Sequence, residues 1–162
     1  VPTRSKRNHI HSVIEALNVS GPGDKTDMYS VLRAVTETYP RRGMMVLISD
    51  LLADTEGIVR GLKLLRQRGH DVLVFHIMDD DELDFPFTGP TRFEGLESDD
   101  FLNCNPRALR DGYLKSLAEF LDNVRHACAQ ATIDYALIRT SDPLDASLAS
   151  YMSNRLGMHH RN

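Results

Sequence analysis

The stretch that decides the fold is residues 43–54, which read Gly-Met-Met-Val-Leu-Ile-Ser-Asp-Leu-Leu-Ala-Asp. Residues 44–48 form an unbroken apolar run, short enough for a buried strand of a parallel sheet. The run stops at Ser49 and Asp50, where an α/β sheet places the residues that meet a ligand. A carboxylate in this position indicates a metal or phosphate contact, or a helix cap.

Outward from this stretch, apolar spacing predicts alternating helices and strands. The predicted helices cover residues 8–18, 27–38, 55–68, 106–131 and 143–155, and the predicted strands cover 44–49, 71–78, 134–139 and, at an edge, 91–96. Strand, helix and strand between residues 44 and 78 make a βαβ unit. The predicted fold is three-layer α/β and Rossmann-like, with a mostly parallel sheet flanked by helices. We expect it to be cut short at its amino end, as a single partial domain over residues 1–162.

The same spacing predicts which side chains face inward. The expected inward residues are Ile10, Val13, Ile14 and Leu17, then Met28, Val31, Leu32 and Val35, then Ile58, Val59, Leu62 and Leu65, and on the long helix Leu109, Tyr113, Leu117, Phe120, Leu121, Val124 and Cys128. Gly69 is expected to end the third helix. Residues 79–82 indicate a solvated acidic turn, and Cys104 is expected in a polar loop.

Composition limits the class of protein. The 162 residues are 41% apolar and 26% charged, as in a folded globular domain. A net charge of −4 excludes general attraction to nucleic acid or anionic membranes. No apolar run approaches the roughly 20 residues of a membrane helix. The two cysteines lack metal-binding spacing, which favours a reducing, cytoplasmic setting. Because no initiator Met is present, we expect the chain to be a piece of a longer protein.

A family resemblance is carried by short segments along nearly the whole chain. They are residues 41–43, 48–52, 65–72, 79–83, 85–87, 140–143 and 151–155. With these segments the chain resembles the bacterial DUF58 proteins and, more broadly, the later part of a von Willebrand factor A-like (vWA-like) domain. That resemblance implies a binding and scaffolding module rather than an enzyme. It also implies a protein partner, for which a MoxR-type AAA+ ATPase is one candidate.

The resemblance further implies a metal-ion-dependent adhesion site built from three loops that bind Mg²⁺ or Mn²⁺ through oxygen atoms. Thr26 and Asp50 stand at two of the metal-ligand positions, and Ser49 and Asp54 are expected to contact the partner. The third loop, Asp-x-Ser-x-Ser, is missing. The nearest match, at residues 145–150, does not have the Asp and Ser residues at the spacing of that motif. We therefore expect no metal on this chain alone, and expect the missing loop and its strand before Val1. Strand 44–49 would then have an open apolar edge, through which the chain could self-associate.

Other readings of the same residues remain open. Asp50 or Asp54 could cap the helix that begins near Thr55, and Thr26 could cap the helix from Asp27. The Ser49 hydroxyl is expected to face backbone, and His76 to be a hydrogen-bonded core histidine. The rival functions are a metal-dependent hydrolase using Asp50, Asp54 and His70, and a metal-free structural platform.

Overall fold

The computed structural model describes residues 9–19, 27–52, 54–95 and 101–159. In chain order its elements are α1 (His9–Val19), α2 (Met28–Thr38), β1 (Met44–Ser49), α3 (Thr55–Gln67), β2 (Asp71–Met78), α4 (Asp80–Asp84), β3 (Thr91–Glu94), β4 (Phe101–Cys104), α5 (Pro106–Gln130), β5 (Asp134–Arg139) and α6 (Leu144–His159).

Three of the strands form a parallel sheet in the order β1-β2-β5. Met44 lies opposite Asp71, and Leu73 lies opposite Asp134, so all three strands end at one side of the sheet, here called the carboxyl edge. Strands β3 and β4 form a separate antiparallel pair. The predicted βαβ unit, β1-α3-β2, is confirmed.

Helices cover both faces of the sheet. On one face, α2, α3 and α5 pack over β2 in the main core, where Leu62, Val74 and Val124 are fully buried. On the other face, a smaller cluster around Leu73 and Phe75 is covered by α6, whose Tyr151 ring lies 5.5 Å from the ring of Phe75. The molecule is therefore a mixed α/β fold with a three-stranded parallel sheet between helices.

The prediction that β1 is a buried strand is only half right. Met45 and Leu47 pack against the main core, but Met44, Val46 and Ile48 are exposed, with Ile48 at 67%. Within the described residues, β1 pairs with β2 alone, so one side of the strand has no neighbour. The predicted apolar edge is present.

Several residues predicted to face inward are exposed. On α2, Val31 is 46% exposed, whereas Thr36 is buried, and its hydroxyl is satisfied there by donating to the Leu32 carbonyl at 2.8 Å. On α1, Ile10 and Ile14 are exposed and Val13 is half-buried, while the predicted inward side chain of Leu17 lies outside the described part of the structure. Leu109 on α5 is 45% exposed. At these positions the helical spacing is as predicted, but the side chains are exposed.

Two further predictions concern the residues at which helices and strands end. Gly69 follows the last turn of α3 with a φ of +86°, which confirms it as the glycine that ends this helix. Cys104 ends β4 rather than lying in a loop, because residues 101–104 pair with β3.

Substitution by alanine should have opposite effects on stability at two helical glycines. A Cβ at Gly61 of α3 would lie 2.8 Å from the Cβ of Leu32, so Gly61→Ala would force α2 away from α3. We expect it to lower the free energy of unfolding by about 1–2 kcal/mol, since overpacking outweighs the gain in helix propensity. Gly112 of α5 has nothing within 4 Å of such an atom. Gly112→Ala should therefore raise stability by about 0.5–1 kcal/mol.

Urea denaturation of the two variants beside the parent protein measures both effects. If Gly61→Ala proves as stabilising as Gly112→Ala, the close packing of α2 on α3 is wrong.

Candidate functional site at the carboxyl edge

Residues 49–52 form a tight loop where β1 reaches the carboxyl edge. Leu51 has a φ of +57°, in the left-handed region that costs a non-glycine residue about 1–2 kcal/mol. Its side chain is only 1% exposed and belongs to the main core, which enforces this conformation. The Ser49 hydroxyl accepts the Leu51 N–H at 3.1 Å, and the Asp50 carboxylate accepts the Leu52 N–H at 3.1 Å. Backbone strain held in this way is typical of functional loops.

His76 of β2 fixes the loop from the neighbouring strand. Its side chain is fully buried, and its Nε2 lies 2.7 Å from the Asp50 carbonyl oxygen. Its Nδ1 lies 2.8 Å from the hydroxyl of Tyr135 on β5. Because both ring nitrogens are bonded, the prediction of a hydrogen-bonded core histidine is confirmed. One chain of bonds thus joins all three strands of the sheet to Asp50.

The tautomer of His76 follows from its partners. Burial lowers the pKa of His76, opposed only in part by the hydrogen bond to the Asp50 backbone and the charges of Asp50 and Glu82. The ring is therefore neutral near pH 7 and carries one proton. A carbonyl can only accept, so that proton is on Nε2, and Nδ1 accepts from Tyr135. Burial also raises the pKa of Tyr135 to about 12, which keeps this hydroxyl a donor.

The remaining predicted site residues have local structural roles or lie outside the described part. Asp54 is the N-cap of α3, where its carboxylate accepts the Glu56 N–H at 3.2 Å. The Ser49 hydroxyl faces backbone, as predicted. Both residues stand on the same loop connection as Asp50, so their partner-binding role stays a prediction. Thr26 lies outside the described residues.

The donor set around Asp50 can supply only part of a metal site. Its carboxylate is exposed, and one oxygen accepts the Leu52 N–H. The described ranges contain no group of three or more His, Cys, Asp or Glu side chains placed to hold a metal ion. Mg²⁺ requires about six oxygen ligands, including waters, so Asp50 would contribute one ligand to a site completed by other groups.

A second network at the carboxyl edge was missed in the sequence. Asp79 and Asp81 are exposed, as predicted for a solvated segment, but the segment begins a helix rather than a turn. Asp79 is the N-cap of the short helix α4 and forms a capping box, in which the Glu82 carboxylate accepts the Asp79 N–H at 3.0 Å. Arg139 at the end of β5 then binds Asp80 at 2.7 Å and Asp84 at 3.0 Å. The spacing Asp-x-x-Glu was the signal for this helix.

His70 lies at the amino ends of the strands, opposite the carboxyl edge that holds Asp50. It immediately precedes β2, whose first residue pairs with Met44, while Asp50 follows the last residue of β1. Six strand residues separate the two levels, which is about 20 Å. The residue set of the rival hydrolase, Asp50, Asp54 and His70, therefore does not converge.

Comparison with known protein families shows which family the chain belongs to. The family model described as "Protein of unknown function DUF58" matches residues 1–120. This chain belongs to the DUF58 family. The resemblance to DUF58 in the sequence is thereby confirmed, while its vWA-like part stays a prediction.

Relatives of this DUF58 chain occur in mycobacteria. Uncharacterised proteins of Mycobacterium bovis and of two strains of Mycobacterium tuberculosis are each 25% identical to it over 160 residues. The alignment covers 96% of this chain and 50% of each relative, so the chain spans about half the length of the curated relatives it matches. No solved structure matches it. Among the helices of the described residues, none is both long and apolar enough to cross a bilayer.

Proposed function

We propose that this DUF58 chain is part of a vWA-like protein-interaction module, and that the loop at residues 49–52 contacts the partner through Mg²⁺ or Mn²⁺. One observation carries the proposal: an exposed carboxylate, Asp50, stands on a strained loop that the buried His76 fixes. Such a loop presents a ligand oxygen in one position before the partner arrives, which reduces the ordering cost of binding.

The site is proposed to be shared among several segments. Asp50 supplies one oxygen, and Thr26 is proposed as a second ligand. The remaining positions are filled by waters, by a carboxylate of the partner, and by groups of the full-length protein outside this chain. An octahedral Mg²⁺ or Mn²⁺ tolerates such a mixed oxygen shell.

The proposed partner is a MoxR-type AAA+ ATPase in the cytoplasm, and support for this choice comes from the DUF58 relationship alone. We expect the full-length protein to bind an ATPase of this type, encoded in the same genome, in the presence of Mg²⁺. Removal of the metal with EDTA, or the Asp50→Ala substitution, should weaken binding at least about tenfold, since a bridging ligand is lost. Isothermal titration calorimetry measures both effects.

Asp111→Ala is the matched control, because Asp111 is an exposed carboxylate on α5 and not part of the loop at residues 49–52. Affinity for the ATPase that survives both EDTA and Asp50→Ala would contradict the proposal.

A metal-free structural platform is the second candidate, favoured by the hydrogen bond from the Leu52 N–H to the Asp50 carboxylate. In that case Asp50 stabilises the loop, and partner binding is insensitive to EDTA. The same calorimetric titration separates the two functions.

The open edge of β1 gives the chain a second route to association. Met44, Val46 and Ile48 form an exposed apolar row beside backbone groups that pair with no other strand of the described residues. We propose that the chain self-associates through this edge. Sedimentation velocity should show a concentration-dependent dimer that Ile48→Lys removes, whereas a concentration-independent monomer would contradict self-association.

A further inference from the structure

An apolar groove of about 720 Å³ lies outside the sheet, between the β3–β4 pair and the first half of α5. Its size is that of an ordinary ligand pocket. Four aromatic rings line it and contact one another: the ring of Phe85 lies tilted against that of Tyr113 at 4.6 Å, and the ring of Phe87 meets that of Phe93 edge to face at 5.0 Å. None of its lining residues belongs to the loop at residues 49–52, so the groove is a separate surface.

The groove is a built feature rather than a gap between loops. Phe85 ends α4 in the left-handed region, with a φ of +43°, and its ring is 7% exposed. Arg110 of α5 holds this strained turn by donating to the carbonyls of Asp84 at 2.9 Å and of Phe85 at 3.2 Å. The aromatic floor is therefore fixed to α5 by hydrogen bonds.

The walls leave large apolar side chains facing solvent. Leu102 on β4 is 57% exposed and Leu109 on α5 is 45% exposed, and both line the groove. Exposed leucines beside the buried Phe85 and three half-buried aromatic rings form a contiguous apolar surface of the kind that marks an interaction site.

The rim of the groove carries uncompensated negative charge. Asp81 and Glu82 of α4 line it. Arg139 pairs with the neighbouring Asp80 and Asp84, but the Asp81 carboxylate forms no ion pair in the described part of the chain. A ligand in the groove would thus find apolar walls and a carboxylate at the rim.

We propose that this groove binds an amphipathic peptide segment of a partner protein, with leucine-type or aromatic anchors inserted between the rings and a Lys or Arg paired with Asp81. A helix placing apolar anchors at i, i+3 or i+4, and i+7 is the recurring partner of such grooves. The acidic rim selects a basic segment and repels the anionic surface of a membrane.

The test uses two labelled synthetic helices of about four turns, one of leucine and lysine and one of leucine and glutamate, titrated by fluorescence anisotropy. The Leu/Lys peptide should bind at least about tenfold more tightly than the Leu/Glu peptide. Leu102→Glu and Leu109→Glu should each weaken its binding at least about tenfold, because a charge enters the apolar wall. Asp81→Lys should reduce the preference for lysine.

Leu144→Glu on α6 is the control for a general effect of added charge, since Leu144 is 61% exposed and is not a lining residue of the groove. Circular dichroism confirms that each variant is folded. Absence of saturable binding, or equal affinity in the parent protein, Leu102→Glu and Leu109→Glu, would overturn the proposal. So would a dimer that Leu109→Glu dissociates, or binding to anionic phospholipid vesicles that Leu109→Glu abolishes, since these outcomes assign the groove to a second copy or a membrane.

Discussion

The His76→Ala substitution should lower the free energy of unfolding by about 3–5 kcal/mol. The change leaves a cavity at a fully buried position and removes two hydrogen bonds, one to the Asp50 carbonyl and one to the Tyr135 hydroxyl. Tyr135→Phe removes only the second bond and should cost about 1–2 kcal/mol. Urea denaturation followed by circular dichroism measures both variants.

The stability of the folded protein should depend on pH through His76. Because burial lowers its pKa below the ordinary 6.5, the unfolded chain takes up a proton at a higher pH than the folded protein does. The contribution of neutral His76 is fully present above about pH 6.5 and decreases as the pH falls toward the folded pKa, by at most about 1.4 kcal/mol per pH unit. His76→Ala lacks this dependence, so its difference from the parent protein should be smaller at about pH 5.5 than at about pH 7.5.

His126→Ala is the matched control, because His126 is exposed on α5 and its Nδ1 bonds within its own helix, to the Asp122 carbonyl at 2.7 Å. Its effect on stability should stay within about 0.5 kcal/mol. A His76→Ala protein with nearly parental stability, or with the parental pH profile, would show that His76 does not hold the loop as described.

The regular elements of the sheet could be predicted because their patterns are local. Strands β2 and β5 have the predicted bounds, Asp71–Met78 and Asp134–Arg139, each with an apolar run that begins directly after an aspartate. Helix α3 ends one residue earlier than expected, before a glycine whose positive φ only Gly adopts without strain. Each boundary depends on a few adjacent residues.

The exposure of β1 could not be read from its composition. The run at residues 44–48 is as apolar as a buried strand, but burial depends on which elements lie beside it. Leu109 shows the same limit on a helix: its spacing predicts an inward residue, and it faces the aromatic groove instead. Apolar periodicity gives the face of an element and leaves open what covers that face.

The centre of the candidate site depends on contacts between distant residues. His76 and Asp50 are 26 residues apart, and His76 and Tyr135 are 59 apart. A histidine inside an apolar strand indicated that a partner exists, but its identity required the register of β1 on β2. The strained φ of Leu51 had no signal in the sequence, because leucine is not a residue that favours that region.

The loss of metal affinity on removing Asp50 is the second large effect that we expect. Replacing a residue that only orients a metal ligand typically weakens binding 10–100-fold, so loss of a ligand oxygen should cost about 100-fold or more. His76→Ala should weaken Mn²⁺ binding about tenfold, because it releases the loop and leaves the Asp50 carboxylate in place.

The most direct measurement is a titration of the full-length protein with Mn²⁺, followed by electron paramagnetic resonance of the free ion. We expect saturable Mn²⁺ binding by the parent protein and by Asp111→Ala, and Mn²⁺ binding about 100-fold or more weaker for Asp50→Ala. Equal Mn²⁺ affinity of the parent and a folded Asp50→Ala protein would contradict the claim that the loop at residues 49–52 is a metal-dependent contact site.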